Sequence, residues 1–350
     1  MTFSLAPLAG FTDAPFRLMC REGGADEVYT EMVSAAALAH GHSPTHHLLE
    51  TMPGESPTVC QIFGANESDV AAATREISAL DAERKAHGES GFSALNLNAG
   101  CPMQKVTKCG AGAALIHEPK KIAALLRAMK ENTALPVTLK TRLGPHPADT
   151  RIFEILSAAE AEGIAGLAVH ARYTSQCHGG PLHLDVLAEV VRRAHVPVAG
   201  NGSVTDAKSA REMAATGVAS IMIGRAALAN PHIFAELKSA LGTGAALEKP
   251  GDRLAGLSMM DLCSRHLAYV LSFREHLARK FPLDHVPGVD AYASVKMHTH
   301  LFRYFNGHPG AAAMRARLNS IRTLDEIQRL TATGPCSQPP VQAITSRKFA

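Results

Sequence analysis

Short apolar, β-branched runs recur along the chain, each followed by a stretch whose apolar positions repeat at helical spacing. Eight runs fall at 3–8, 27–32, 58–63, 95–98, 137–141, 166–170, 196–199 and 220–223. Helical periodicity marks 68–80, 120–132, 152–162, 184–194 and 207–215 between them. Strands alternating with helices predict parallel β/α units joined by right-handed crossovers. Eight such units before residue 240 predict a closed (β/α)8 TIM barrel of the α/β class. No GxGxxG follows the first strand, which argues against a dinucleotide-binding domain there.

Beyond residue 240 the alternation stops. Residues 241–256 are rich in Gly and Ala with a Lys-Pro-Gly step and read as a linker. The segments 257–275, 289–305, 311–321 and 325–331 read as helices, broken by Pro282, Pro287 and the stretch 307–310. The expected organisation is therefore a barrel domain over 1–240, a linker, a small C-terminal helical bundle over 257–333 and a mobile tail over 334–350.

Composition narrows the class. With 46% hydrophobic and 19% charged residues in 350, the chain is expected to fold rather than stay disordered. No run of eighteen apolar residues predicts a membrane span, and the N-terminus lacks a basic segment leading into an apolar one, so a cytoplasmic protein is expected. Seven cysteines are scattered without a CxxC pair, and 18 histidines form no HExxH, so neither a disulfide framework nor a metal site is expected. The net charge of +3 is uneven: residues 248–350 hold 14 Lys+Arg against 8 Asp+Glu, so the body is slightly acidic. A basic helical part fits a polyanionic partner, or simply a solvated basic face.

In a barrel of this kind the working side chains sit at the C-terminal strand ends. Those ends read Pro7-Leu8-Ala9-Gly10, Glu31, Gln61, Asn98 with Cys101, Lys140 with Arg142, His170 with Arg172, Asn201-Gly202 and Gly224-Arg225. The glycines after the last two strands, with Arg225, suit a phosphate, carried either by a substrate or by a flavin mononucleotide. Lys140 ends an apolar strand and is suited to neutralise a flavin edge, to form a Schiff base, or to pair with a carboxylate such as Glu31. Gln61 can match a heterocycle's amide edge, and His170 can hydrogen-bond cofactor or substrate. The stretch LNLNAGCPMQKVTKCGAGAAL stops a strand at Gly100-Cys101-Pro102, leaving a thiol beside Asn98 that can serve as general acid. Lys105 and Lys108 follow as candidate phosphate neighbours, and Cys109 is expected to pack a helix start.

With these residues assembled, the sequence resembles the tRNA-dihydrouridine synthases. The resemblance runs in order through LAPLAGFTDAPFR, VCQIFGAN, NAGCPMQKVTKCGAGAAL, TLKTRLG, VHARYTSQ, GNGSV, IGRAALANPHIF and VKMHTHLFRYFNGHPGAAAMRARLN. It implies an FMN-binding barrel with an RNA-binding helical domain, NADPH as reductant and tRNA as partner, without a metal, a membrane or an obligate protein partner. By position, Pro7, Leu8, Ala9 and Gln61 contact the flavin ring, Lys140 its pyrimidine edge, and His170 the ring and phosphate region. Asn201, Gly202, Ser203, Gly224 and Arg225 hold the phosphate. Cys101 matches the proton donor, and Asn98, Arg142 and Arg172 match positions near the uridine. Hydride to C6 and a proton to C5 complete the implied reduction of the uridine C5=C6 bond. Departures from the family pattern stand at Tyr173, His178, Ser203 and Met297, and bear on which RNA is bound. Tyr173, His178 and Tyr292 are the aromatic stacking candidates in a chain without tryptophan. Two other readings of the same residues are an FMN barrel reducing a free enone or dihydropyrimidine, and a non-catalytic RNA binder. Charge reversal at Lys296 or Arg303 separates the RNA-dependent reading from the small-molecule one.

Overall fold

The computed structural model describes residues 1–243, 253–306 and 311–333. Its strands are β1 (Thr2–Leu5), β2 (Glu27–Tyr29), β3 (Val33–Ser34), β4 (Thr58–Phe63), β5 (Ala94–Ala99), β6 (Val137–Arg142), β7 (Gly166–His170), β8 (Val198–Asn201) and β9 (Ser220–Ile223). All pairings between them are parallel. The order is β2-β1-β9-β8-β7-β6-β5-β4, and β2 pairs with β4 to close the ring, so the body is an eight-stranded TIM barrel. The two-residue β3 is an extra strand at the end of β4. It lies just beyond the run 27–32, of which only Glu27–Tyr29 forms a strand; Thr30–Met32 separates the two.

Alternation along each strand decides which way the site residues point. On β5, Leu95, Leu97 and Ala99 join the main core under the helices, whereas Ala94, Asn96 and Asn98 take the opposite face, into the lumen. Ala6, Tyr29, Val59, Ala94, Ala168 and Met222 form a separate apolar cluster that fills the lumen, with Ala199 packed against it. Residues two further along, on the strands or just past their ends, are Leu8, Glu31, Gln61, Asn96, His170, Gly224 and Asn201. Apart from Leu8 and Gly224, a period of two therefore stacks polar side chains on an apolar plug.

The helices start where their caps say they should. Asp13 caps Ala14–Glu22 by accepting from Phe16 N, and Asn66 caps Glu67–Ala86, a helix six residues longer at its C-terminus than the periodicity predicts. The C-terminal part is helical: Met259–Lys280, Val289–Tyr304, Ala311–Ser320 and Leu324–Thr333. The first of these, opened by a reciprocal Ser258/Asp261 cap, runs on to Lys280 and ends just before Pro282. Most of the expected linker and the whole expected tail lie outside the described residues.

The bundle is seated on the barrel by a shared core. Ala14, Leu18 and Met52 of the barrel side pack with Cys263, Leu267, Met297 and Tyr304 of the bundle. Around that seam, Arg265 grips Glu22 through two 2.8 Å hydrogen bonds, and Glu50 accepts from His276 at 2.8 Å and pairs with Lys280 at 2.9 Å. Among the described residues no helix is long and apolar enough to cross a membrane.

Candidate active site

The strand ends bring Gln61, Asn98, Lys140, His170 and Asn201 to one mouth of the barrel. Gln61 is fully buried; its amide donates to Asn96 Oδ1 (2.8 Å) and accepts from Asn98 Nδ2 (2.9 Å). Asn96 Nδ2 in turn donates to Thr138 Oγ1 at 2.8 Å. This three-strand amide ladder fixes the orientation of each carboxamide, because reversing one breaks two bonds. Asn96 escaped the sequence reading, although the Leu-Asn-Leu-Asn alternation put it on the same face as Asn98.

Asn98 holds the cysteine loop. Its Oδ1 accepts the backbone N–H of Gly100 (3.1 Å) and of Cys101 (3.0 Å), an Asx turn that fixes the chain leaving β5. Space is tight at Gly100: a Cβ there would lie 3.2 Å from the Thr141 backbone. Arg142, 2% exposed, donates from Nε to Gly100 O (2.8 Å) and from Nη1 to Cys177 O (2.7 Å), with Tyr173 O at 3.4 Å. Its guanidinium thus ties the Cys101 loop to the loop after β7, and burial pushes it down to about 10. Cys101 itself is half-buried, and its carbonyl accepts Ala113 N at 2.9 Å.

Lys140 stands across the ladder, paired in register with Asn98. Its nearest polar partner is Asn201 Oδ1 at 3.4 Å, not Glu31, which instead accepts Gly10 N. Burial, with Arg142 nearby, brings the ammonium down to about 8. Asn201 is fixed by donating to Met222 O at 2.7 Å. His170 is held far below the usual imidazole range by burial and by Lys140, Arg142 and Arg172, and its Nδ1 is buried without a partner.

The remaining cations gather over β7, β8 and β9. Arg172 donates to Gly180 O through Nε (3.0 Å) and Nη2 (2.9 Å) and to Ser203 Oγ (2.8 Å), while its Nη1 is buried and unpaired. Ser203 adopts φ +48°, a left-handed conformation that aims its hydroxyl at Arg172. Gly202 has φ +130°, and a Cβ on it would meet Leu182 at 2.7 Å. Arg225 is exposed, donates to His178 O at 3.4 Å, and lies close enough to Arg172 to lower its affinity for a proton. Among the described residues, none of Lys140, Arg142, Arg172 and Arg225 has a carboxylate partner. Such a concentration of unpaired positive charge calls for an anion.

The pattern of the dihydrouridine synthase family (Dus) matches residues 4–335 of this chain. The chain belongs to the dihydrouridine synthase family. It is 32% identical over 320 residues to "tRNA-dihydrouridine synthase B" of Pseudomonas putida, covering 91% of this chain and 86% of that one. It is 33% identical over 348 residues to a "Probable tRNA-dihydrouridine synthase" of Mycobacterium tuberculosis, covering 95% and 82%.

Placed in this synthase, the remaining expected residues separate. Pro7 and Leu8 are half-buried and Ala9 exposed, in a turn closed by Phe11 N and Thr12 N donating to Leu8 O at 3.0 Å each. Gly224 precedes the short helix Arg225–Ala229, so Arg225 enters at its first turn. Cys20, Cys60 and Cys263 are buried, but Cys109 is exposed and packs no helix start. Lys105 and Lys108 are exposed. Of the aromatic candidates, Tyr173 is 2% exposed with its hydroxyl bonded to Thr150, whereas His178 lies at the mouth, its ring 6.3 Å from that of His170.

Proposed function

We propose that this synthase reduces the C5=C6 bond of uridine in tRNA to 5,6-dihydrouridine, with FMN resident in the barrel mouth and NADPH as the reductant. The observation that carries the reading is the cluster of Lys140, Arg142, Arg172 and Arg225, without carboxylates, around a cysteine held at a strand end. The residues present fit FMN. A phosphate between Arg172 and Arg225, against Ser203 and the Gly202 and Gly224 backbones, would give the orphaned Arg172 Nη1 its acceptor. Lys140 would face the anionic pyrimidine edge, a role suited to a buried ammonium with only an amide for company. Pro7, Leu8 and Ala9 would lie along the ring, Gln61 at its amide edge, and the orphaned Nδ1 of His170 would take a bond from cofactor or substrate. Bound there, FMN supplies the hydride that enters uridine at C6.

Cys101 donates the proton to C5, which completes the two-electron, two-proton saturation of the bond. Asn98 holds the Cys101 backbone from one side and Arg142 holds Gly100 from the other, so the thiol meets the base from a fixed direction. Asn98 and Arg142 therefore act on uridine through the loop they brace, and Arg172 through the phosphate region. A base stacked in folded RNA must be extruded to reach this mouth, and the basic helical part suits the flanking phosphates. The reading places the reaction in the cytoplasm.

Purified protein given NADPH and unmodified tRNA should form dihydrouridine, detected by mass spectrometry, and leave free uridine untouched. Protein that binds no flavin, or that reduces free uracil compounds as fast as tRNA, would contradict it.

A further inference from the structure

The helix Val289–Tyr304 lies on the barrel with one face toward the turn 7–13. Lys296, His300 and Arg303 are spaced three to four residues apart and so share that face. Each touches the turn. Lys296 Nζ pairs with Asp13 Oδ2 at 3.1 Å, the His300 ring meets the Phe11 ring edge-on at 6.0 Å, and the Arg303 guanidinium lies 5.6 Å from the same ring. From the barrel side the turn is held by Gly10 N donating to Glu31 and by Arg17 Nη1 donating to Thr12 O (2.8 Å). The same helix packs against Arg225–Ala229, the helix that opens at the candidate phosphate residue. One element of the bundle therefore braces both ends of the cradle.

Lys296 is the cation of this arrangement. It is drawn inward, with a side chain only 26% exposed, and Asp13, followed by Glu31, strengthens its hold on the proton. Asp13 is buried: burial alone would raise its carboxyl, but Lys296, with His300 and His266, holds it below the usual range. Asp13, His266 and His300 each offer a metal-ligating atom within 4.8 Å of the others, and the Lys296 ammonium already serves that carboxylate as its counter-charge. The sequence reading used Lys296 only as a charge whose reversal separates an RNA substrate from a small molecule.

We propose that Lys296 is a positioning residue for the flavin-facing turn: the helical bundle completes the cofactor cradle through the Lys296–Asp13 pair, besides any grip on RNA. The inference rests on the flavin reading above. Without Lys296, Asp13 keeps its cap to Phe16 but loses its counter-charge, and Pro7–Ala9 loses the strut behind it.

The test is FMN titration of the apo-protein by fluorescence quenching, with no RNA present. Lys296→Met should weaken FMN about tenfold, the scale of one lost charge-assisted bond, and shift the visible flavin band. Lys296→Arg should restore both to within about threefold, since it returns the charged donor to Asp13; a cavity of about 430 Å3 beside Lys296 leaves room for it. The double variant D13N/K296M removes the Asp13 charge together with its partner and should fold, so it reports even where K296M does not; it should show the same weakened FMN binding and band shift. In the reductase assay at saturating FMN, K296M should lower kcat with the KM for tRNA within about twofold, whereas an RNA-gripping role would raise KM. Wild-type affinity and an unshifted flavin band in K296M or the double variant, or a loss that Arg does not restore, would overturn the proposal. Failure of the wild-type protein to bind FMN would instead overturn the flavin reading beneath it.

Discussion

At the scale of single residues, the account assigns chemistry to Cys101 and posture to its neighbours. Cys101→Ala should keep bound flavin and its reduction by NADPH but lose at least about a hundredfold in dihydrouridine formation, the usual contribution of a positioned acid; single-turnover assays separate the two half-reactions. Asn98→Ala removes the acceptor for two backbone N–H groups and should destabilise the fold by about 1–3 kcal/mol in denaturant titration, with a larger loss in kcat than in KM. Lys140 gives a pH signature. It leaves its charged form near pH 8 in the free protein, and the anion binds the charged form, so FMN affinity should fall as pH rises above about 8. Lys140→Met should bind more weakly and flatten that profile. The strand-end placement of Cys101 was legible from Gly-Cys-Pro. The role of Asn98 was only half so: its bonds to Gly100 and Cys101 are local, but its bond to Gln61 spans 37 residues of sequence and follows from register alone.

At the scale of elements, alternation carried most of the information. Strands β4 to β9 arrive within two residues of where the apolar runs put them, because a buried parallel strand needs such a run and ends at Gly or a polar residue. The second strand stops at Tyr29, short of the end of its run at Met32, a detail apolar content cannot signal, since Val33 beyond it is apolar again. The glycines were legible as punctuation but not in mechanism: Gly100 is chosen for the 3.2 Å approach of Thr141, and its φ is ordinary. Gly100→Ala should therefore push β5 off β6 and destabilise by about 1–3 kcal/mol, the range for an overpacked site. Thermal unfolding of that variant checks the claim; an unchanged transition would show that the strands yield freely.

At the scale of the whole molecule, barrel and bundle share a core and a rim of ion pairs, so they should unfold in one transition. Glu50 shows why. It is 3% exposed and serves Arg84 from the barrel side together with His276 and Lys280 from the bundle. Glu50→Ala strands the buried Arg84 and should destabilise by about 3–5 kcal/mol. Burial raises the Glu50 carboxyl, but His276, Arg84 and Lys280 together hold it below the ordinary glutamate range. The folded state thus binds its proton more weakly than the unfolded one. Its contribution should be full above the unfolded value and vanish as pH falls through the folded one, so variant and wild type should converge in acid. None of this seam was readable from sequence, which marks amphipathic helices without saying what they cover. The most direct measurement of the central claim is a dihydrouridine map of tRNA from cells lacking this gene, complemented with either the wild-type chain or Cys101→Ala. The account predicts that defined uridines lose the modification, regain it with the wild type and fail to regain it with the alanine variant. Unchanged dihydrouridine in the deletion, or full restoration by Cys101→Ala, would contradict it.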